Sequence, residues 1–267
     1  MSPATTELEK KSESQEPNED ESGKMSFLEH LDELRKRLLH IVAYLFGGFI
    51  LCLFFREEIF DFIQVPILPH LPEGSKSLNI FKIQSGFMLY MKVALLGGIF
   101  ITIPGTLYEV WKFIAPGLYK KEKKYVLPFL FFSIILFLSG GAFCYYIALP
   151  TTIGWLLDFA RKFTPLIEAG EYFDIIIMMI IGFGLTFEMP VVIAFLALFG
   201  MVSPKFLFRN FKYAILVIVI IAAVLSPTAD AFNLLIWSGP MILLYFISIC
   251  IAYVIVRNKK KKESASS

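Results

Sequence analysis

Six apolar runs, at about residues 38–55, 87–107, 125–148, 175–199, 213–225 and 232–256, leave this chain few folds to choose from. A bilayer core about 30 Å thick is crossed by a helix of about 20 apolar residues, and five of the runs have that order of length. Inside a membrane no water accepts the backbone polar groups, so each run must satisfy its own N–H and C=O groups and is read as a helix. Hydrophobic residues make up 57% of the 267 and charged residues 18%, and a soluble domain could not cover so much apolar surface. The expected fold is an all-α membrane protein with six transmembrane helices.

The fifth run is short. Tyr213 to Leu225 reaches about 20 Å as a helix, less than the core thickness. Either flanking residues extend it, its neighbours shield it, or the bilayer thins around it. Between the first two runs, Ile59, Phe60, Phe62 and Ile63 read as a short helix lying in the interface. Residues 149–174 form a second mixed stretch.

Lys and Arg placement orients the bundle. Of the 25, 19 fall in the two tails and the 108–124 and 200–212 connections, and five in the alternate connections. The remaining one, Lys92, reads as a side chain snorkelling to the outer interface. Positive charge marks the cytoplasmic side, so both termini and the 108–124 loop are expected there. Residues 1–24 are polar and acidic, without the apolar stretch of a secretory signal, and are expected to be a disordered cytoplasmic tail. Residues 25–257 form the transmembrane domain and 258–267 a basic cytoplasmic tail.

Cys52, Cys144 and Cys250 stand singly, and His30, His40 and His70 have no metal spacing. No nucleophile, phosphate-loop or dinucleotide motif is present, so neither an enzyme nor a cofactor or metal protein is indicated. Glycine pairs at Gly47-Gly48 and Gly97-Gly98 point to close helix packing.

The ionisable residues near the membrane carry the functional signal. Glu188 lies in the fourth run, in Leu185-Thr-Phe-Glu-Met-Pro190. A mid-span acid costs about 2.5–3.5 kcal/mol, and Pro190 withdraws a helical hydrogen bond close by. It is read either as a functional group or as a structural acid bonded to a neighbouring helix. Asp230 follows the fifth run in a tight turn, where Asp commonly serves as a turn residue or helix cap. At the start of the first run, Ser26 and Glu29 have capping-box spacing, and Phe27, Leu31, Leu34 and Leu38 make an apolar stripe. The 108–124 loop carries Trp111, Phe113 and Tyr119, a Pro116-Gly117 turn, and Glu122 among Lys120, Lys121, Lys123 and Lys124. A plain connector has no need of such aromatics.

Two long patterns, His30-Leu-Asp-Glu-Leu-Arg-Lys-Arg37 and Trp111-Lys-Phe-Ile-Ala-Pro-Gly-Leu-Tyr119 with Glu122, resemble the TatC family, the multispanning receptor of the twin-arginine protein translocase. The likeness continues through Pro66, Lys92, Pro104, Phe187-Glu-Met-Pro190 and Asp230, and so covers residues 26 to 256. It implies a concave bundle of six spans in the bacterial cytoplasmic (inner) membrane. It also implies that Glu33 and Glu122 bind the paired arginines of a signal peptide, with Phe113, Arg35, Pro116 and Leu118 belonging to that site. Glu188 matches an acid facing the concave side, and Pro66 and Asp230 match positions important at the outer side. The implied partners are TatA and TatB type single-span subunits, docking at the short fifth span, twin-arginine precursors, further copies of the chain and membrane lipid; nucleic acid is not among them. The implied work is export of folded proteins driven by the proton-motive force.

Three positions depart from the family pattern. Ser226-Pro-Thr-Ala229 precedes Asp230 where many members place Pro directly before the Asp, Leu234 stands where many carry Gln, and Glu109 occupies a position that is often Gln. The other class of reading is a proton-coupled secondary transporter that uses Glu188 as a relay for a small solute. It accounts for the mid-span acid but leaves the aromatic and basic loop unused, and no inverted repeat is evident.

Overall fold

The computed structural model describes residues 27–70, 78–118, 123–160, 162–163, 166–228 and 230–265. Helix α1 runs unbroken from Phe27 to Phe54, 28 residues and about 42 Å, so the amphipathic start and the first apolar run are one element. The expected short helix follows as α2, Arg56–Gln64, with Glu57 and Glu58 in its first turn where acids favour the helix dipole. It gives way to a 3-10 turn over Val65–His70, which holds Pro66 buried.

Helix α3, Ser85–Ile114, ends two residues before Pro116, and a 3-10 turn covers Ala115–Gly117. It lies along α1 with the two chains close together. A Cβ built on Gly98 would stand 2.7 Å from the Phe49 nitrogen, and one on Gly48 would stand 2.8 Å from the Gly98 carbonyl oxygen. Small residues at this crossing allow the backbones to approach, as the glycine pairs suggest.

The third span is longer than its apolar run. Helix α4, Val126–Phe143, continues through a π turn at Cys144–Ala148 into α5, Leu149–Phe159. The mixed stretch expected from residue 149 is therefore helical up to Phe159. Pro150 sits in the first turn of α5, where its missing N–H is tolerated, and the π turn absorbs the register change. Thr151 turns its hydroxyl back onto the Ile147 carbonyl at 2.6 Å, so its polarity is satisfied within the helix.

Helix α6, Ala169–Phe187, begins at a backbone clasp. The Asn79 N–H donates to the Ile167 carbonyl and the Ala169 N–H to the Asn79 carbonyl, at 3.0 and 2.9 Å. The span breaks at Glu188 and resumes as α7, Met189–Leu198. Gly200, at φ 73°, closes α7 in the left-handed region that glycine enters freely. Helix α8, Pro204–Arg209, is capped by the Ser203 hydroxyl, which accepts from the Phe206 N–H at 3.1 Å. Helix α9, Phe211–Leu225, has 15 residues and remains short. Helix α10, Ala231–Ala265, carries Pro240 inside it and continues without interruption into the basic C-terminal segment.

A buried core of Val93, Phe173, Ile176, Met179, Phe183 and Trp237 joins α3, α6 and α10, with the Trp237 and Phe183 rings stacked at 4.3 Å. Elsewhere the helices present large apolar groups outward, among them Phe46, Phe54, Phe131 and Leu235. Among the described residues, five helical spans are long and apolar enough to cross a membrane, and α9 is a shorter apolar helix. Their outward apolar surface is stable only in lipid or against partners. This is a multi-pass, all-helical membrane protein.

Candidate functional site

The first turns of α1 and the last turns of α3 form a charged junction. Residues 30, 33, 37 and 40 share one face of α1 by helical spacing, and 109 and 113 share a face of α3. Where the faces meet, Arg37 donates from Nε to Glu33 Oε1 at 2.8 Å and from Nη1 to Glu109 Oε2 at 2.9 Å. Its Nη2 also donates to Glu33 Oε1. His40 Nδ1 lies 3.5 Å from Glu109 Oε2. The Glu109 side chain is only 4% exposed, against 15% for Arg37 and 18% for Glu33, so the guanidinium offsets the burial of an otherwise isolated carboxylate. One turn away, the His30 and Phe113 rings stack at 4.5 Å and close the junction.

Several of the expected site residues converge here. Glu33 and Phe113 are part of the junction. Pro116 lies in the 3-10 turn that ends α3, and the Leu118 N–H closes that turn by donating to the Ala115 carbonyl at 3.2 Å. Arg35 is exposed and about 200° around α1 from Glu33, so it faces away from the junction. Glu122, with Tyr119, Lys120 and Lys121, lies outside the described residues, as does Ser26 of the expected capping box. The carboxylate brought to Glu33 through Arg37 is Glu109. Sequence reading passed over Arg37, His30 and His40; their shared helical face with Glu33 was the available signal.

The remaining expected residues lie apart from this junction. Pro66 is buried in the turn after α2, where the Tyr145 hydroxyl donates to the nearby Phe62 carbonyl at 2.6 Å. Asp230 caps α10. Its Oδ1 accepts the backbone N–H of Phe232 at 3.0 Å and of Asn233 at 2.9 Å, and its Oδ2 accepts from the Thr228 hydroxyl and, at 2.9 Å, from Asn233 Nδ2. The Thr228 hydrogen bond foremost, then the Asn233 backbone N–H, hold its carboxyl down at about 2. Lys92 does not simply snorkel: its Nζ pairs with Asp174 Oδ1 at 2.6 Å, linking α3 to α6. Glu188 occupies the α6–α7 joint, and its buried Oε1 has no hydrogen-bond partner among the described residues. No group of three metal-ligating side chains occurs among those residues.

Residues 29–240 match the model of the family described as Sec-independent protein translocase protein (TatC). The chain belongs to the TatC family. It is 43% identical over 244 residues to the Sec-independent protein translocase protein TatC of Koribacter versatilis, covering 90% of each chain. With the protein of that name from Campylobacter jejuni it shares 38% identity over 237 residues, 88% of this chain and 96% of the relative. Among solved structures, the crystal structure of the twin arginine translocase receptor TatC superposes with a TM-score of 0.75 at 32% identity, covering 85% of this chain and 99% of the other. The fold, the family and the membrane-embedded character agree across these findings. None of them favours a solute transporter.

Membership of the TatC family sharpens the interest of Glu109. At a position where Gln is frequent in the resembled pattern, this chain carries an acid, and the structure buries it against Arg37. A neutral amide there would need no cation, whereas a buried carboxylate does. Arg37 and Glu109 therefore belong together as a unit.

Proposed function

We propose that this chain is the receptor subunit of a twin-arginine translocase, which binds twin-arginine signal peptides and nucleates the translocon for export of folded proteins driven by the proton-motive force. The observation that carries the reading is the guanidinium of Arg37 seated between the carboxylates of Glu33 and Glu109. A carboxylate accepts two parallel hydrogen bonds from the planar guanidinium fork, a geometry that an ammonium cannot reproduce. The junction is thus already built for arginine chemistry, beside the aromatic Phe113 and the Pro116–Leu118 turn.

In this reading Glu33 and Glu122 receive the two arginines of the signal, and Phe113, Pro116 and Leu118 shape the approach. Arg35, facing away from the junction, contributes from the headgroup side. Exposed ion pairs contribute only about 0–1 kcal/mol each, so the signal's apolar stretch supplies much of the affinity by entering the bundle. The lysines around Glu122 hold the loop to anionic headgroups and leave the acid to the ligand. Both termini and this loop face the cytoplasm of a bacterial inner membrane, and the subunit moves protein without catalysing a chemical step. Single-span TatA and TatB type subunits dock at the short α9, and further copies of the chain complete the receptor complex. Pro66 and Asp230 hold the outer side in shape.

Site-specific cross-linking of a twin-arginine precursor tests this. Glu33→Gln and Glu122→Gln each abolish the cross-link while membrane insertion is retained, and a twin-lysine precursor fails to cross-link to the unchanged protein. Undiminished cross-linking in the double variant overturns the assignment.

A further inference from the structure

At the end of α3 away from the Glu33–Arg37–Glu109 junction, the first turns of α3 and α6 enclose a charged cleft of about 230 Å³. Lys82 precedes α3 and Lys92 lies on it; Glu168 precedes α6, and Glu171 and Asp174 lie on it. Two restraints hold these walls together: the backbone clasp of Asn79 with residues 167 and 169, and the Lys92–Asp174 pair at 2.6 Å. Met88 and Lys92 also line a second cavity, an open groove of about 450 Å³ between α1 and α3. Apart from Lys92 its walls are apolar, among them Leu45, Phe46 and Phe49 of α1 and Met91 and Leu95 of α3. A charged cleft and an apolar groove thus meet at Met88 and Lys92.

Polar and apolar halves joined in this way match an amphiphile, and the membrane supplies one. Lys92 and Asp174 stand in the early turns of their spans with side chains 41% and 56% exposed, and charges at the edge of the hydrocarbon need polar company. A lipid headgroup gives it. Lipid tails are as apolar as leucine, so the groove selects a chain only by shape, and flexible methionines such as Met88 and Met91 adapt to it. The choice of lipid therefore falls to the cleft. Two ammonium groups face three carboxylates there, an excess of negative charge that opposes a purely anionic headgroup and favours one with a cation beside its phosphate. A primary ammonium brings three N–H donors to those carboxylates, whereas a trimethylated one brings none.

We propose that the cleft and groove together bind one phosphatidylethanolamine molecule, with its phosphate beside Lys82 and Lys92, its ammonium among Glu168, Glu171 and Asp174, and one acyl chain along the groove between α1 and α3. The Lys92–Asp174 pair is kept, each partner gaining the opposite charge of the headgroup. The bound lipid ties α1, α3 and α6 together at this end of the bundle. Stripped of lipid in detergent, the pair is left to water and behaves as a surface ion pair. The site depends on the membrane-embedded fold alone and is independent of the receptor reading.

The full chain is reconstituted in phosphatidylcholine nanodiscs that contain a minor fraction of lipid with brominated acyl chains, which quench tryptophan fluorescence on contact. Leu95→Trp places a reporter in the groove, and Leu235→Trp, on the outward side of α10, reports bulk lipid. The three tryptophans of the parent give the background to subtract. Brominated phosphatidylethanolamine is expected to quench Leu95→Trp about threefold more than Leu235→Trp, whereas brominated phosphatidylglycerol and phosphatidylcholine quench the two alike. Unbrominated phosphatidylethanolamine in excess restores the Leu95→Trp signal, and phosphatidylglycerol does not. Adding Glu171→Gln and Asp174→Asn to Leu95→Trp brings its quenching down to the bulk level. Equal quenching of the two reporters by brominated phosphatidylethanolamine overturns the site. A groove that takes all three lipids equally, or prefers phosphatidylglycerol, overturns the assignment of the headgroup, as does a preference that survives neutralisation of the cleft.

Discussion

The acids at the α1–α3 junction and the acid that caps α10 are held in opposite ways. Asp230 is saturated by groups from its own turn: two backbone N–H groups, a hydroxyl and an amide, all within residues 228–233. Glu33 and Glu109 depend on a single guanidinium, which reaches Glu109 across 72 positions in sequence. The first arrangement is local and neutral in its donors, so it forms whenever the turn forms. The second exists only when two helices meet, and it sets two carboxylates against one arginine with a histidine beside them. A closed cap fixes shape, whereas a cation-dependent junction leaves acceptors that a second cation can satisfy. That difference separates an architectural acid from the proposed recognition site.

Removing the shared cation is the most severe way to break the comparison. Arg37→Met strands Glu109 in a nearly buried position, and loss of one partner from such a pair costs about 3 kcal/mol. Thermal denaturation in detergent is expected to show a large drop in midpoint. Adding Glu109→Gln in the same chain should recover most of it, because the amide needs no counter-charge. If the double variant is no more stable than Arg37→Met alone, Glu109 is not the group that Arg37 serves.

This dependence on a partner also explains what the sequence could and could not reveal. Span positions were legible because a bilayer demands continuous apolar length, and the turn of Asp230 was legible because its donors are neighbours in the chain. Periodicity places 30, 33, 37 and 40 on one face of α1, yet no rule of spacing states which face of α3 it meets. The Glu33–Arg37–Glu109 network and the Trp111–Ser133 hydrogen bond were hidden for that reason. The third apolar run stops at residue 148 with a mixed stretch after it, and the π turn carries the helix past that point to Phe159. Of the glycine pairs, Gly48 and Gly98 make the close approach, while a Cβ on Gly47 would meet nothing within 4 Å.

The cap offers a smaller effect with a pH signature. Asp230→Ala removes acceptors for two helical N–H groups and should destabilise by about 1 kcal/mol, whereas Asp230→Asn keeps one capping oxygen and loses less. The carboxyl is held down at about 2, below its ordinary 3.8. A depressed carboxylate contributes stability that is fully present above the unfolded value and is lost as pH falls through the folded one. The parent should therefore lose stability between about pH 4 and pH 2 by more than Asp230→Asn does. Parallel slopes for the two proteins over that window would show that the cap does not titrate with the fold.

The Lys92–Asp174 pair offers the mildest test, because it shares the ionic character of the junction but not its burial. Its partners are 2.6 Å apart, closer than Arg37 and Glu109, yet their side chains are 41% and 56% exposed. Distance alone would rank it as the stronger contact. Exposure reverses that order: water solvates each charge when the other is removed, and dissolved salt screens both. Lys92→Met should lower stability by less than about 1 kcal/mol, and the difference should shrink as ionic strength rises. A double-mutant cycle with Asp174→Asn, measured at low and high salt beside the Arg37–Glu109 cycle, places the two on one scale. A Lys92 coupling as large as that of Arg37 and unmoved by salt would mean that lipid or a partner subunit covers the pair, and that burial no longer distinguishes the two sites.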